Sequence, residues 1–201
     1  MWIEEFEGVP AVVIERYDRA PDAPQGRIHQ EDFNQVLGAS GNQKYQKYGG
    51  RVSLSRIARV FSVAGDANSL TRLFKLVVLS VAVGNLDMHA KNISLLHRSD
   101  GTTTLSPAYD VVPQAHLPSD GEVALAVAGV YRHAAITTKD LVAEGKAWGL
   151  ADAAALAEDT LTTVLQLAQV ESPHKSAHAG LASDIASFAS NLLAGRAAGV
   201  T

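Results

Sequence analysis

Cysteine is absent from the 201-residue sequence, which excludes disulfide bonds and thiolate metal sites. This absence fits a reducing compartment, and we predict a cytoplasmic protein. Positive charge is also sparse, since 17 lysines and arginines face 21 aspartates and glutamates and no basic block occurs. Phosphate backbones are bound by clustered basic side chains. We therefore expect no direct contact with nucleic acid.

Long apolar runs are missing as well. The longest, residues 76–84, is too short to span a bilayer, and the acidic amino terminus lacks the basic and apolar regions of a secretory signal. The seven histidines are scattered, which argues against a zinc site. A chain of this length with 47% apolar residues can bury a sizeable core. The composition predicts one globular domain with no membrane association.

Local patterns predict an α+β fold that is mostly α, with a few short strands. Strands are expected at 2–7 and 9–17, and the apolar, β-branched stretch 11–14 is typical of a buried strand. Asp100-Gly101 predicts a hairpin between strands 93–97 and 103–105, while 122–128 is ambiguous. A glycine-rich loop is expected at 38–50. Helices are predicted over residues 30–37, 53–63, 68–83, 137–148, 151–170 and 178–197.

One segment concentrates chemically active side chains. Residues 84–96 read Gly-Asn-Leu-Asp-Met-His-Ala-Lys-Asn-Ile-Ser-Leu-Leu, and Asp110 follows within Leu-Ser-Pro-Ala-Tyr-Asp-Val-Val-Pro. An aspartate, an asparagine five residues later, a strand and a second aspartate form the layout of a phosphotransferase catalytic loop with its metal-binding strand. The predicted helix before Gly84 delivers the chain into this loop.

The residue types suit phosphoryl transfer, which depends on positioning and on cations at the phosphate oxygens. Asp87 is the candidate base. Asn92 and Asp110 offer the oxygen ligands that Mg²⁺ prefers. Lys91 is a candidate for neutralising phosphoryl charge, and His89 for hydrogen-bonding the loop. Taken singly, each has an ordinary alternative as a turn former, structural hydrogen bonder or solvated charge. Their shared order favours the functional interpretation.

Several segments together resemble the HipA-type serine/threonine kinases of bacterial toxin–antitoxin modules. The loop 84–96 and the Asp110 segment carry the most specific part of the resemblance. Weaker similarity is found in Val13-Ile14-Glu15-Arg16-Tyr17-Asp18-Arg19, in 27–38, in Lys44–Gly50 and in 124–141. The resemblance covers nearly the whole chain. It implies that the chain forms the helical, carboxyl-terminal lobe of a kinase-like fold, with hinge-proximal strands in 1–19 and the helical lobe in 20–201.

The resemblance also implies roles for individual residues. Asp87 matches the catalytic base, with His89 and Lys91 beside it in catalytic loop 84–96. Asn92 and Asp110 match the magnesium ligands, the latter within the metal-binding segment 105–113. The backbone from Glu15 to Tyr17 matches the hinge that meets the adenine of ATP, with Asp18 next to it. The implied cofactors are ATP and Mg²⁺. The implied partners are a protein substrate, in the best-known case an aminoacyl-tRNA synthetase, and a HipB-like antitoxin.

The sequence departs from this family at the phosphate-binding half of the site. Only 12 residues precede Val13, no glycine-rich strand-turn-strand precedes it, and the first lysine is Lys44 in a loop. The glycines of 38–50 lack the spacing of either a Walker loop or a kinase glycine-rich loop, so they are not expected to bind phosphate. We predict that the isolated chain is inactive or nearly so, and that an amino-terminal lobe completes it, either as a separate chain or as the lost front of a longer gene.

Two other functions remain open from the sequence. A non-catalytic pseudokinase module would dock an antitoxin or a separate amino-terminal lobe, and the missing phosphate-binding lysine favours it. Retention of Asp87, Asn92 and Asp110 favours catalysis, because a scaffold has no need of them. An aminoglycoside-type small-molecule kinase shares the same three residue types but fits the flanking segments less well.

Overall fold

Helix α3 (Ala67–Val83) forms the centre of the molecule, as its apolar stripe predicts. The computed structural model describes residues 2–199. The stripe side chains are all buried, and they comprise Leu70, Leu73, Phe74, Val77, Val78 and Val81. The other helices are α1 (Phe33–Val36), α2 (Leu54–Ala64), α4 (Thr138–Ala147), α5 (Ala153–Val170) and α6 (Leu181–Leu193). Helices α2, α4, α5 and α6 contact α3, and α5 packs against α6.

Three small antiparallel sheets accompany these helices. The strands are β1 (Trp2–Phe6), β2 (Val9–Val13), β3 (His29–Asp32), β4 (Ser94–His97), β5 (Thr103–Leu105), β6 (Glu122–Val127) and β7 (Val130–Arg132). They pair as β1–β2, β3–β4–β5 and β6–β7. The α+β prediction is confirmed, as is the hairpin around Asp100-Gly101. The ambiguous segment 122–128 proves to be β6, and β7 was not predicted.

Helix ends follow capping chemistry, with one correction. Ser53 caps α2 as predicted, because its side chain accepts a hydrogen bond from the Arg56 amide. We predicted that Asn68 or Ser69 begins α3, but the cap is Asp66, whose carboxylate accepts from the Ser69 amide at 2.9 Å. Asp66 directly precedes Ala67, the first residue of α3, so its carboxylate is placed to satisfy an amide of the first turn.

The predicted helix from residue 30 to 37 is correct only in its second half. Residues His29–Asp32 form a strand paired with β4, and only Phe33–Val36 are helical. Pairing supplies backbone partners that a short isolated helix lacks, so the tertiary contact overrides the local pattern. Asp32 ends the strand and caps α1 in a capping box with Gln35. This strand places β4, which directly follows the loop 84–92, in a fixed sheet.

The amino-terminal hairpin contradicts a prediction of burial. Strands β1 and β2 form where expected, although β2 ends at Val13 rather than at residue 17. We predicted that 11–14 would be a buried strand, but Val12 is 60% exposed and Ile14 63% exposed. Trp2, Phe6 and Val9 of the same hairpin are also more than half exposed. The pattern suits burial, yet no described element covers these side chains.

None of the helices within residues 2–199 has the length and apolar character needed to cross a membrane.

Candidate active site

The loop 84–92 leaves α3 at a position where only glycine fits. Gly84 has φ of +69° and ends the helix in the left-handed conformation. A Cβ built there would lie 2.8 Å from the Ala115 Cβ and 3.0 Å from Phe188 Cε2. The Gly84 carbonyl accepts hydrogen bonds from the amides of Gln114 and Ala115 at 2.8 and 3.0 Å. Helix α3, the loop and the segment after Asp110 therefore meet at one point.

Hydrogen bonds within the loop fix Asp87 and Asn92 relative to each other. The Asp87 carbonyl accepts from the Asn92 side-chain amide at 2.9 Å and from the His89 amide at 2.8 Å. The Asp87 amide donates to the Asn85 side chain at 3.1 Å. Ala124 of β6 donates its amide to the Leu86 carbonyl at 2.9 Å, which attaches the loop to a sheet. Hydrogen bonds within the loop and from strand β6 therefore hold the loop in place.

The Asp87 carboxylate has one engaged oxygen. Its Oδ1 accepts a hydrogen bond from the Tyr45 hydroxyl at 3.0 Å. Its Oδ2 lies 3.9 Å from His89 Nε2, which is beyond hydrogen-bonding distance. The Asp87 side chain is 41% exposed, so solvent and substrates can reach it. Sequence reasoning missed Tyr45, since it treated 38–50 only as a loop. The similarity of Lys44–Gly50 to the kinase family was the available signal.

His89 and Lys91 occupy different environments in the same loop. The His89 side chain is buried, its ring meets Tyr45 edge-on at 5.4 Å, and burial lowers its pKa although the charge of Asp87 opposes that effect. Its Nδ1 and the Asn85 Nδ2 are buried without a hydrogen-bond partner among residues 2–199. Unsatisfied buried groups are costly, and functional sites are one place where they occur. Lys91 is exposed.

Asp110 lies on a strained segment that is anchored to the loop. Its φ is +54°, a conformation that few residues other than glycine adopt. The hydroxyl of the preceding Tyr109 donates to the Lys91 carbonyl at 2.6 Å and lies 2.5 Å from the Ser94 hydroxyl. Burial raises the pKa of Tyr109 to about 12, so it remains a donor. Arg72 of α3 donates to the carbonyls of Leu105 and Ser106 upstream.

The chemistry of Asn92 and Asp110 suits a magnesium ion. The amide nitrogen of Asn92 is committed to the Asp87 carbonyl, which leaves the Asn92 carbonyl oxygen as its donor to a cation. Asp110 supplies an exposed carboxylate. Magnesium takes one or two such ligands from the protein and completes its shell with phosphate and water oxygens. This pair fits that mode, whereas residues 2–199 contain no cluster of three histidine or carboxylate ligands.

Of the predicted hinge residues, Tyr17 lies near Tyr109. The Tyr17 ring lies 6.4 Å from the Tyr109 ring, and its hydroxyl donates to Gln30 Oε1 at 3.0 Å. Gln30 donates in turn to the Ser94 hydroxyl at 3.0 Å. Asp18 is paired with Arg16 and Arg19, and the Arg16 guanidinium in particular holds the pKa of that carboxyl at about 2.

Asp18 is therefore engaged in ion pairs at the start of the helical lobe. Glu15 is exposed. The position of an adenine near Glu15, Tyr17 and Asp18 stays a prediction.

A cavity of about 550 Å³ opens beside Asp87. Gln114, Asp120 and Glu122 contribute to its wall together with Tyr45. Of the predicted catalytic and metal-binding residues, Asp87 alone lines it in the described part of the chain. Lys47 and Glu122 form an ion pair of 2.5 Å at its wall. The Asp87 carboxylate therefore faces an open cavity that Asn92 and Asp110 do not line.

Comparisons with known proteins show the family to which the chain belongs. The family model of the HipA-like C-terminal domain matches residues 1–172. Two relatives from Sinorhizobium fredii bear the names putative kinase Y4dM and Y4mE. They are 38% identical over 102 residues and 37% identical over 116 residues, covering 51% and 55% of this chain. A Haemophilus influenzae relative, also named putative kinase, is 30% identical over 115 residues and 54% of the chain.

These matches span 23%, 27% and 32% of the relatives' own lengths. A solved structure with the same fold is HipA of Shewanella oneidensis MR-1, in a complex with HipB and operator DNA. It matches with a TM-score of 0.70 and 24% identity, covering 96% of this chain and 49% of that one. At this identity the likeness shows the fold alone. On the family match over residues 1–172, this chain belongs to the HipA-like C-terminal domain family.

Proposed function

We propose that this chain is the catalytic half of a serine/threonine protein kinase that uses Mg-ATP, the toxin of a toxin–antitoxin pair. One observation carries the proposal. The Asp87 carboxylate lines an open cavity and is held in a braced loop that also carries Asn92. In-line transfer requires the attacking hydroxyl and the nucleotide to meet from opposite sides. The cavity side receives the acceptor, and the other side receives the nucleotide.

The residues divide the work of transfer. Asp87 orients the acceptor hydroxyl and takes its proton as the oxygen attacks phosphorus. Asn92 and Asp110 would hold magnesium, which when bound neutralises charge on the phosphate oxygens. Tyr109 fixes the separation of these two residues through the Lys91 carbonyl. The exposed Lys91 is placed to neutralise further charge, and the buried His89 supports the loop.

Binding of Mg-ATP provides the first test. We expect millimolar Mg-ATP to raise the melting temperature of the purified chain, and Asp110→Asn to abolish that rise, because it removes the charged metal ligand. Differential scanning fluorimetry with and without Mg²⁺ measures the effect. Asp120→Asn is the matched control, since Asp120 belongs to the cavity wall and should leave the shift intact.

The same experiment separates catalysis from the pseudokinase alternative. No shift with Mg-ATP at millimolar concentration, in the parent and in Asp110→Asn alike, would favour a module that only docks partners. The pseudokinase alternative arises because this sequence has no counterpart of the family's phosphate-binding loop and lysine. In kinases such groups supply much of the positioning of ATP and of the neutralisation of phosphate charge.

A HipB-like antitoxin and an aminoacyl-tRNA synthetase substrate are partner proposals from the family resemblance. The Shewanella HipA was solved together with HipB and operator DNA, which supports an antitoxin partner. That complex contains DNA, so the expectation that this chain does not contact nucleic acid does not apply to a complex of the chain with an antitoxin. Because the charge balance of this chain is acidic, we propose that any DNA contact is made by the antitoxin.

An amino-terminal lobe is the third proposed partner, and the β1–β2 hairpin is its docking surface. Trp2, Phe6, Val9 and Val12 are each more than half exposed, on a two-stranded sheet with free edges. Isolated hairpins are marginal, and further strands would bury this surface. The matched family is a carboxyl-terminal domain, and the chain spans 49% of the Shewanella HipA chain. The remainder of such proteins is the expected occupant.

Tryptophan fluorescence tests this docking. Trp2 is exposed whereas Trp148 is buried, so docking of the amino-terminal half of a HipA-like kinase should blue-shift the Trp2 emission. We expect Val12→Asp to weaken docking at least tenfold. Val63→Asp is the control, since Val63 is 78% exposed on α2, away from the hairpin. Equal weakening by both substitutions would contradict the assignment of the hairpin.

A further inference from the structure

The glycine-rich segment 38–50 presents a tyrosine to the proposed catalytic base. We infer that Tyr45 is a positioning residue, which selects the oxygen of Asp87 that acts as the base. The inference rests on the proposed kinase function. Its starting point is the 3.0 Å hydrogen bond from the Tyr45 hydroxyl to Asp87 Oδ1, between residues 42 positions apart. The bond leaves Oδ2 with no hydrogen-bond donor among residues 2–199.

The ring of Tyr45 is held from several directions. It meets the His89 ring edge-on at 5.4 Å and the Tyr48 ring edge-on at 6.1 Å. The Lys44 ammonium lies 4.8 Å from the ring centroid, within the range of a cation–π contact. These contacts leave the hydroxyl few alternatives to Asp87. Burial, together with the Asp87 bond, raises the pKa of Tyr45, so the hydroxyl stays protonated and donates near neutral pH.

The backbone of this segment is hydrogen-bonded to β6. This attachment indicates that Tyr45 is held in place and does not move away as a lid would. The Gln46 amide donates to the Ala124 carbonyl at 3.0 Å, and the Gln46 side chain accepts from the Ala126 amide at 3.0 Å. The adjacent Ala124 amide donates to the Leu86 carbonyl, next to Asp87. One strand thus fixes both the tyrosine and the carboxylate. An inhibitory plug would have to leave before catalysis, whereas this attachment keeps Tyr45 in place.

The consequence concerns catalysis more than binding. A carboxylate that rotates freely offers its oxygen to the acceptor for only part of the time, and small misplacements of a base reduce rates strongly. With Oδ1 occupied by Tyr45, Oδ2 takes the acceptor proton. The Tyr45 hydroxyl does not contact the residues predicted to bind magnesium or the adenine of ATP. Its loss should therefore leave nucleotide binding unchanged.

The test compares Tyr45→Phe with the parent chain in steady-state phosphoryl transfer over a range of Mg-ATP concentrations, with long incubations because the isolated chain is expected to be slow. We expect kcat to fall about 10- to 100-fold while KM for ATP and the melting temperature remain unchanged. Tyr131→Phe is the matched control. It removes the hydroxyl of a tyrosine on β7 that does not line the cavity beside Asp87, and it should retain the parent kcat.

Three results would overturn the inference. An unchanged kcat in Tyr45→Phe would show that Asp87 needs no brace, and a raised kcat would show that Tyr45 blocks the acceptor. A rise in KM for ATP equal to the loss in kcat/KM would show a role in nucleotide binding. Asp87→Asn run in parallel separates these outcomes from failure of the proposed function. If no turnover depends on Asp87, the kinase proposal and the inference fall together.

Discussion

Asp87→Asn is expected to lower phosphoryl transfer by about a thousandfold, within the range that a general base contributes. Asparagine has nearly the shape of aspartate, and its carbonyl oxygen can still accept from the Tyr45 hydroxyl 3.0 Å away. The substitution therefore removes the proton acceptor while keeping the brace. Transfer of labelled phosphate from ATP to protein, measured by mass spectrometry and autoradiography, checks the result. Any docked amino-terminal lobe should raise the parent rate and widen the difference.

The control for this substitution is Asp152→Asn. Asp152 is exposed before α5 and its side chain makes no capping hydrogen bond, so the same chemical change there should leave transfer unaltered. Retention of the parent rate by Asp87→Asn would remove Asp87 from the role of base. Equal melting temperatures for Asp87→Asn and the parent are needed to assign the loss to chemistry rather than to folding.

Glu144→Ala is expected to cost about 3 kcal/mol of the free energy of unfolding, because it leaves buried donors without a partner. The Glu144 side chain is buried and accepts from Trp148 Nε1 at 2.9 Å, from the Ala128 amide at 2.6 Å and from the Ser55 hydroxyl at 3.1 Å. These bonds join α4, the β6–β7 turn and α2. Such a loss corresponds to a fall in melting temperature of roughly 6–12 °C for a domain of this size.

Chemical denaturation of the parent, Glu144→Ala and Glu158→Ala measures this contribution. Glu158 is exposed on α5 and serves as the control, with an expected change within about 0.5 kcal/mol. Similar stability of Glu144→Ala and the parent would mean that water replaces the carboxylate at no cost. The effect on transfer should follow stability alone, because Glu144 is not among the residues that surround Asp87.

The site divides into parts that local sequence predicts and parts that it does not. The helix preceding Gly84 and the order of Asp87, Asn92 and Asp110 follow from periodicity, capping and spacing within short segments. The contacts of Asp110 do not, because they depend on Tyr109 reaching the Lys91 carbonyl 18 residues away. Tyr45 lies 42 positions from Asp87 in the sequence, and their hydrogen bond requires β6 to hold both segments.

The two incorrect element predictions have related causes. Residues 30–32 were assigned to a helix, but pairing with β4 converts them to a strand, and no local pattern encodes a partner more than 60 residues away. The stretch 11–14 was assigned to a buried strand, and it forms a strand up to Val13 that remains exposed. Its apolar composition is typical of a buried strand, but no other segment of residues 2–199 covers it.

The sequence by itself determined the family resemblance, the helical frame and the identity of the candidate catalytic residues, because each of these is a property of a contiguous segment. Tertiary structure alone decided which oxygen of Asp87 is free, how Asp110 is anchored to the loop, and where the apolar hairpin lies exposed. Those features arise from contacts between distant segments, whose free energy depends on the closed fold. A pattern of neighbouring residues specifies the groups for catalysis, and packing specifies their orientation.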